Sequence, residues 1–194
     1  KYLDIYKVNG RFEDFNVKKI ADNSWLVDGD PFEGEDVLTD IERVFFLDSE
    51  MERSATKVLA FDTDPGETAE QAYRLYQAAF ARVPDGPGVA YHVNDMENNS
   101  ISLYQVANNF LASPEFVSKY GADLSDIEFI NLLYKNVLGR KGADFEIEFY
   151  INNFERDLID PYYMDRGMAL IGFSESPENV NLIANQIDNG IMFF

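Results

Sequence analysis

A motif that returns in weaker form constrains this chain most. Its first copy spans residues 75–91 and its second spans residues 133–150. Each copy carries Leu-Tyr on an amphipathic run, then a bulky apolar residue, a small residue and an arginine, and a break made of Gly, Pro or Asp follows. The hexapeptide at 110–115, Phe-Leu-Ala-Ser-Pro-Glu, also returns at 173–178 as Phe-Ser-Glu-Ser-Pro-Glu. Two different motifs in the same order predict a duplicated helical unit.

The spacing of apolar residues predicts where the helices lie. From residue 69 to residue 81 they recur at the helical period, and the two prolines and two glycines of residues 84–88 end that helix. Ser113 and Ser176 each precede Pro-Glu, a pattern typical of an N-cap followed by proline in the first turn. Further helices are expected at about 88–97, 102–112, 114–120, 125–138, 143–156, 161–173 and 177–187.

Residues 1–62 carry strand-forming residues with partial alternation, and no helical stripe continues beyond two turns. Strands are expected near 2–6, 15–20, 24–27, 44–47 and 57–61. The predicted class is α+β, with a small antiparallel or β-roll-like segment at 1–64 and an α-helical bundle at 65–194. The bundle is predicted to consist of two related helical units, at about 69–121 and 125–190.

Charge and composition narrow the range of partners. The chain has 35 acidic and 16 basic residues, for a formal net charge of −19. Nucleic acid and anionic membrane surfaces are therefore disfavoured, since both are bound through clustered Lys and Arg. The acidity indicates either solubility in a crowded medium or a demand for divalent cations. The chain contains no apolar run of the ~20 residues that would span a bilayer.

Cysteine is absent, which excludes disulfides, thiolate catalysis and Cys-ligated metal sites. His92 is the only histidine, and no Gly-x-Ser-x-Gly nucleophile motif accompanies it. No catalytic residue is assigned, and an enzyme is not expected. The chain opens on Lys1 without a visible cleavable signal, which suggests a fragment or a processed product.

An acidic loop is the candidate metal site. Its hard oxygen ligands suit calcium, but the EF-hand template fails because Glu33 occupies the position that requires glycine and Thr39 occupies the twelfth position. A structural calcium ion and a solvated acidic turn are the two interpretations. The candidate ligands are Asp28, Asp30, Glu33 and Asp36.

The break after the first copy of the motif is the candidate ligand site. An acidic acceptor, exposed backbone and aromatic faces are the groups that hold a sugar. The alternative is a rigid helix connection with Tyr91 packed into the core. For Arg82 and Arg140, the alternative is an interaction with the helix dipole or with an acid of a neighbouring helix. The candidate ligand-binding residues are Arg82, Asp85, Gly88, Tyr91 and His92.

The repeated motifs resemble a bacterial helical family known as domain of unknown function 4214. The resemblance covers about 69–190, and this family is more distantly similar to phycobilisome linker domains, which share a helix–Leu-Gly-Arg–helix pattern. The family usually places Trp after the repeat aromatic, where this chain has His92 and Tyr150. His92 is therefore interpreted as a surface or half-buried substitute. The second copy also lacks the Pro-Asp of the first.

The N-terminal segments 11–17, 25–28 and 34–46 resemble the β segment that often precedes such domains in RTX-type exported proteins. The resemblance implies type I secretion and an extracellular or cell-surface location. The expected function is a noncatalytic interaction module for surface or matrix attachment, with glycan binding as its leading mode. The alternatives are a protein–protein assembly module resembling phycobilisome linkers and a domain that bears a C-terminal export signal. Expected partners are surface or matrix polysaccharide, other copies of the chain, surface proteins and the secretion machinery.

Overall fold

The computed structural model describes residues 3–29, 34–47, 57–64 and 66–193. Strands precede helices, so the α+β prediction is confirmed. The strands are β1 (Ile5–Asn9), β2 (Asn16–Ala21), β3 (Ser24–Asp28), β4 (Glu35–Thr39), β5 (Arg43–Leu47), β6 (Lys57–Ala60) and β7 (Ile191–Phe193). The helices are α1 (Thr68–Phe80), α2 (Gly86–Asn98), α3 (Leu103–Leu111), α4 (Pro114–Tyr120), α5 (Asp126–Val137), α6 (Asp144–Phe154), α7 (Arg166–Ser174) and α8 (Pro177–Ile187).

The strands form two sheets. The three-stranded sheet, in the order β2-β3-β4, is antiparallel, as expected. The four-stranded sheet has the order β1-β5-β6-β7, and its β1–β5 pair is parallel. A parallel pair needs a long crossover, and the segment that contains β2, β3 and β4 supplies it.

The two sheets share a hydrophobic core because alternate residues of their strands point inward. Trp25 and Val27 of β3 are buried, as are Val44 and Phe46 of β5. Trp25 also stacks on Phe61, with 4.2 Å between ring centroids. The predicted small β segment therefore contains its own cluster of buried hydrophobic residues.

Helices α4 and α8 begin at the predicted caps. The hydroxyl of Ser113 accepts a hydrogen bond from the backbone N–H of Phe116 at 3.2 Å, and Ser176 accepts from Asn179 at the same distance. Ser125 caps α5 in a capping box with Glu128. Helix α1 lies at the centre of the bundle and packs against α2, α3, α5 and α7. No helix in the part of the chain that the structure describes is long and apolar enough to cross a membrane.

The sheet and the bundle are joined by a shared core. Strand β7, which follows α8, pairs with β6 in the register Val58 opposite Phe193. The region predicted as helical thus ends in a strand that the sequence analysis interpreted only as an apolar tail. Buried residues from both parts pack together, among them Val58, Ala60, Tyr73, Val93, Ile183, Ile191 and Phe193.

A buried ion network lies at the same junction. Arg43 of β5 is 2% exposed and binds Asp62, which precedes α1. It also binds Glu97 of α2 at 2.7 Å. The other oxygen of Asp62 accepts a hydrogen bond from the backbone N–H of Ala69 in the first turn of α1, at 3.3 Å. Arg43 therefore links the sheet to the start of α1 and the end of α2.

Candidate functional site

Arg82, just beyond the end of α1, organises a cluster that we call the first clasp: Tyr76, Arg82, Asp85 and Glu115. The guanidinium lies over the Tyr76 ring, 4.7 Å from its centroid, and donates to the Tyr76 hydroxyl at 2.6 Å. It donates to Glu115 from Nε at 2.8 Å and from Nη2 at 3.1 Å. It also donates to Asp85 from Nη1 at 3.2 Å. The clasp ties the end of α1 to the starts of α2 and α4.

Asp85 caps α2 at the same time. Its Oδ1 accepts from the backbone N–H of Gly88 at 2.9 Å, and its Oδ2 accepts from the Tyr76 hydroxyl at 3.3 Å. The Gly88 hydrogen bond and the Arg82 guanidinium lower the pKa of the Asp85 carboxyl. A Cβ at Gly88 would lie 3.0 Å from the Tyr76 ring, so the glycine permits this close approach.

The second copy of the motif builds an equivalent cluster, the second clasp: Tyr134, Arg140, Glu146 and Glu178. Arg140 lies over the Tyr134 ring at 4.9 Å and donates to Glu178 from Nε at 2.8 Å and from Nη2 at 3.0 Å. Glu146 accepts two hydrogen bonds from Arg140 at 2.9 Å. The guanidinium and the N–H of Ala143 lower the pKa of Glu146 to about 2.

The two clasps differ in the helix position that supplies one of their two carboxylates. Asp85 is the N-cap of α2, whereas Glu146 lies in the first turn of α6, where Ala143 occupies the N-cap position. The second copy thus lacks the Asp of the first and still supplies a carboxylate to its arginine. The arginine keeps its position in both copies, whereas one of its acids comes from a different helix position. Because the ion pair is formed in both cases, we infer that the cluster serves to close the helical unit.

The structure brings Arg82, Asp85 and Gly88 together, but their hydrogen-bonding groups are occupied by one another and by Tyr76 and Glu115. Arg82 pairs with Glu115 of α4, which agrees with the alternative interpretation that the arginines bind an acid of a neighbouring helix. A ligand role for these three residues stays a prediction, which the geometry does not favour.

Tyr91 and His92 lie on different sides of α2. Tyr91 is 63% exposed, so the interpretation that it packs into the core is wrong. Asn94 and Asn98 are also exposed, and their side-chain amides hydrogen-bond to each other at 2.9 Å. Tyr91, Asn94 and Asn98 share one side of the helix because they are spaced by three and four residues. We call them the α2 polar face.

His92 is half-buried, as expected for a substitute of a packed aromatic residue. Its ring lies edge-on to Phe110, with 4.5 Å between centroids. Its Nδ1 is buried and has no hydrogen-bond partner among the described residues. Burial lowers the pKa of His92, and Asp95 opposes that shift. The ring acts as a packing element of the first unit.

The acidic loop predicted to hold calcium falls partly outside the described residues, because Asp30 and Glu33 lie there. Asp28 ends β3, and Asp36 lies in β4, where its Oδ2 accepts a hydrogen bond from the Tyr6 hydroxyl at 2.9 Å. Within residues 3–29, 34–47, 57–64 and 66–193, no group of three or more His, Cys, Asp or Glu residues could hold a metal ion. Calcium binding by the whole loop stays a prediction.

An acidic cavity of about 180 Å³ lies where three loops meet at the ends of the sheets. No sequence pattern predicts this cavity, because its walls come from three separate turns. The indole N–H of Trp25, one of the lining residues, is buried without an acceptor among the described residues. The cavity is lined by Asn23, Trp25, Asp40, Ile41, Glu42, Phe61, Asp62, Asp64 and Glu67.

Comparison with curated proteins gives no match to the chain. A family model, however, matches the region that runs from within α3 to within α8, which contains the second clasp and both Ser-Pro-Glu caps. This region is narrower than the 69–190 over which the motifs show the resemblance. Residues 107–183 match the family described as Domain of unknown function (DUF4214), which supports the family that the repeated motifs indicated.

Proposed function

We propose that this chain is a noncatalytic, extracellular interaction module of an exported bacterial protein, and that its α2 polar face binds a glycan. The observation that carries the proposal is the exposure of Tyr91, a residue that is 63% exposed on a helix side that also presents two amides. Sugars are held by aromatic rings that stack on their C–H faces and by amides that bond to their hydroxyls.

The charge of the protein selects the kind of glycan. Tyr91, Asn94 and Asn98 are neutral, whereas the chain as a whole carries a net charge of −19. The field of such a protein repels anionic polymers and leaves neutral ones unaffected. The proposed ligand is therefore a neutral surface or matrix saccharide.

The location and the route of export belong to the same proposal. The resemblance of the N-terminal β segment to that of RTX-type exported proteins supports type I secretion and a place at the cell surface. The distant similarity to phycobilisome linker domains supports protein–protein assembly as the alternative.

The test is calorimetric titration of the protein with a panel of neutral oligosaccharides. Binding is expected for at least one of them. Tyr91→Ala should weaken that binding by about tenfold or more, since it removes the stacking surface, and Tyr91→Phe should retain most of it.

Phe149→Ala is the matched control, because Phe149 occupies the equivalent position in the second unit. It should leave saccharide binding unchanged. No heat at millimolar saccharide, or an equal loss in both alanine variants, would overturn the proposal.

A further inference from the structure

The second unit exposes several large apolar side chains that lie close together in the sequence. They lie on α6 and on the 155–165 connection to α7. Phe145 and Phe149 are 74% and 55% exposed, and Ile159 is 93% exposed. Single exposed apolar residues are ordinary in proteins, but five large ones in one stretch of chain are not. We call this set the α6 apolar surface: Phe145, Phe149, Leu158, Ile159 and Tyr162.

One member of this set has an aromatic equivalent in the first unit. Phe149 lies as far beyond Tyr134 as Tyr91 lies beyond Tyr76 in the first copy. Phe145 precedes Phe149 by four residues, so the two rings occupy one side of α6. Tyr91 and Phe149 are therefore equivalent exposed aromatic residues, and the second unit adds Phe145 where the first copy has Pro87.

The connection after α6 is a fixed turn that holds two apolar side chains at its tip. The N–H of Asp160 donates to the carbonyl of Asp157 at 2.8 Å, which places Leu158 and Ile159 at the two central positions. Arg156 donates to Asp160 at 2.9 Å and lies over the ring of Tyr162 at 5.4 Å. The turn is thus held in place by its own polar residues.

The central positions of such a turn ordinarily carry Pro, Asp, Asn, Ser or Gly, each for a backbone reason. Leu158 and Ile159 offer no such advantage, and both point away from the core. Because they stay exposed, the protein forgoes the free energy that burying them would contribute. This combination indicates a surface that is covered when a partner binds.

The connection is anchored on α6, the helix that carries Phe145 and Phe149. The N–H of Met164 donates to the carbonyl of Asn153 at 3.2 Å, and Arg156 Nε donates to the Asn153 side chain at 2.9 Å. These bonds fold the connection back onto the last turn of α6. Phe149 precedes Asn153 by four residues, so it lies one helical turn away on that helix.

Charge decides what covers this surface. Residues 144–165 contain seven acidic residues and a single arginine. Glu148, Glu155 and Asp157 are exposed beside the apolar side chains. A second copy of the chain would bring the same charges face to face, which is costly. A partner with basic and apolar residues on one side of a helix would complement both features.

We infer that the α6 apolar surface binds a cationic, amphipathic protein segment, whose apolar side chains cover Phe149, Leu158 and Ile159 and whose Lys or Arg residues pair with the surrounding acids. This surface is separate from the proposed glycan face on α2. Its occupant would lie on the second helical unit and leave Tyr91 accessible.

The test uses a labelled model peptide of about five helical turns, made of leucine and lysine, with leucines at the helical spacing. Its comparison peptide has the same composition with the leucines distributed evenly around the helix. Fluorescence anisotropy is measured at near-physiological ionic strength, where pure charge attraction is screened. The amphipathic peptide should bind at least about tenfold more tightly than the comparison peptide.

The double variant Phe149→Ser/Ile159→Ser should lose that preference while its circular dichroism and saccharide binding stay as in the wild type. Tyr91→Ser, the matched change in the first unit, should leave peptide binding intact. Equal binding of both peptides, or an unchanged preference in the double variant, would overturn the inference. So would sedimentation showing a wild-type dimer that the double variant abolishes, because the occupant would then be a second copy.

Discussion

Arg82 and Glu115 form a two-point pair, with Nε to Oε1 at 2.8 Å and Nη2 to Oε2 at 3.1 Å. Arg140 and Glu178 repeat it at 2.8 Å and 3.0 Å. In each unit the arginine follows the first helix and the glutamate lies in the first turn of the fourth. The pair therefore closes each unit by joining its first helix to its last.

Replacing Arg82 by lysine should destabilise the protein, because a single ammonium cannot make the two parallel bonds to Glu115 and loses the flat contact with Tyr76. The Arg82 side chain is 36% exposed, so the loss should be about 1 kcal/mol in urea unfolding. Glu115→Gln and the double variant complete a cycle. A coupling energy indistinguishable from zero would contradict the role of the clasp.

Two glycine substitutions should act in opposite directions. A Cβ at Gly142 would lie 2.6 Å from the ring of Tyr134, so Gly142→Ala should cost about 1–3 kcal/mol through overpacking. Gly172 is exposed within α7, and its Cβ would meet no described atom within 4 Å. Gly172→Ala should therefore stabilise by about 0.5–1 kcal/mol. Thermal unfolding of the pair checks both signs, and equal shifts would refute the steric argument.

Arg74 should be among the most sensitive positions in the chain. It is fully buried in α1 and binds Glu70, one turn earlier, and Glu175 at the end of α7. Arg74→Met would leave the buried Glu70 carboxylate without its partner, at a cost of about 3–5 kcal/mol. Adding Glu70→Leu should restore most of that loss. A double variant no more stable than Arg74→Met would show that shape, and not charge, governs the site.

His92 should make stability depend on pH. Burial lowers its pKa in the folded protein, so the unfolded chain takes up the proton first as the pH falls. Its contribution to stability is present above about pH 6.5, the ordinary value, and decreases below it. His92→Phe keeps the contact with Phe110 and removes the titration. The free energy of unfolding should be measured with denaturant at pH 7.5 and 5.5, roughly one unit either side of that ordinary value. Relative to the wild type, the variant should be more stable at the lower pH than at the higher one. A constant difference would show that His92 does not titrate in this range.

The parts of the fold that follow from neighbouring residues were predictable. Ser113 and Ser176 were identified as caps because a cap involves only the next three residues. The parallel β1–β5 pair and the strand β7 were not predicted, since strand partners depend on distant segments. Glu146 was missed for a related reason, because its function in the second clasp depends on where α6 places it relative to Arg140.

The sequence predicted which residues of the candidate site lie close together, but not which groups they bind. The motif places Arg82 and Asp85 together, but it does not predict that Tyr76 binds both of them or that Glu115 binds Arg82. The sequence likewise did not predict whether Tyr91 is buried or exposed, since an aromatic residue in the first turns of a helix can lie in the core or on the surface. The apolar tip at Leu158 and Ile159 lies in the connection at residues 155–165, which is longer than its counterpart in the first unit, residues 99–102.

The pairing of Val58 with Phe193 has a kinetic consequence. Helices α1 to α8 lie between these two strands, so the loop that β6 and β7 close is longer than the whole span of those helices. Closing it is entropically expensive, whereas contacts within each helical unit are local. We therefore expect the pairing of β7 with β6 to be the rate-limiting step of folding. The helices should form and pack before this step.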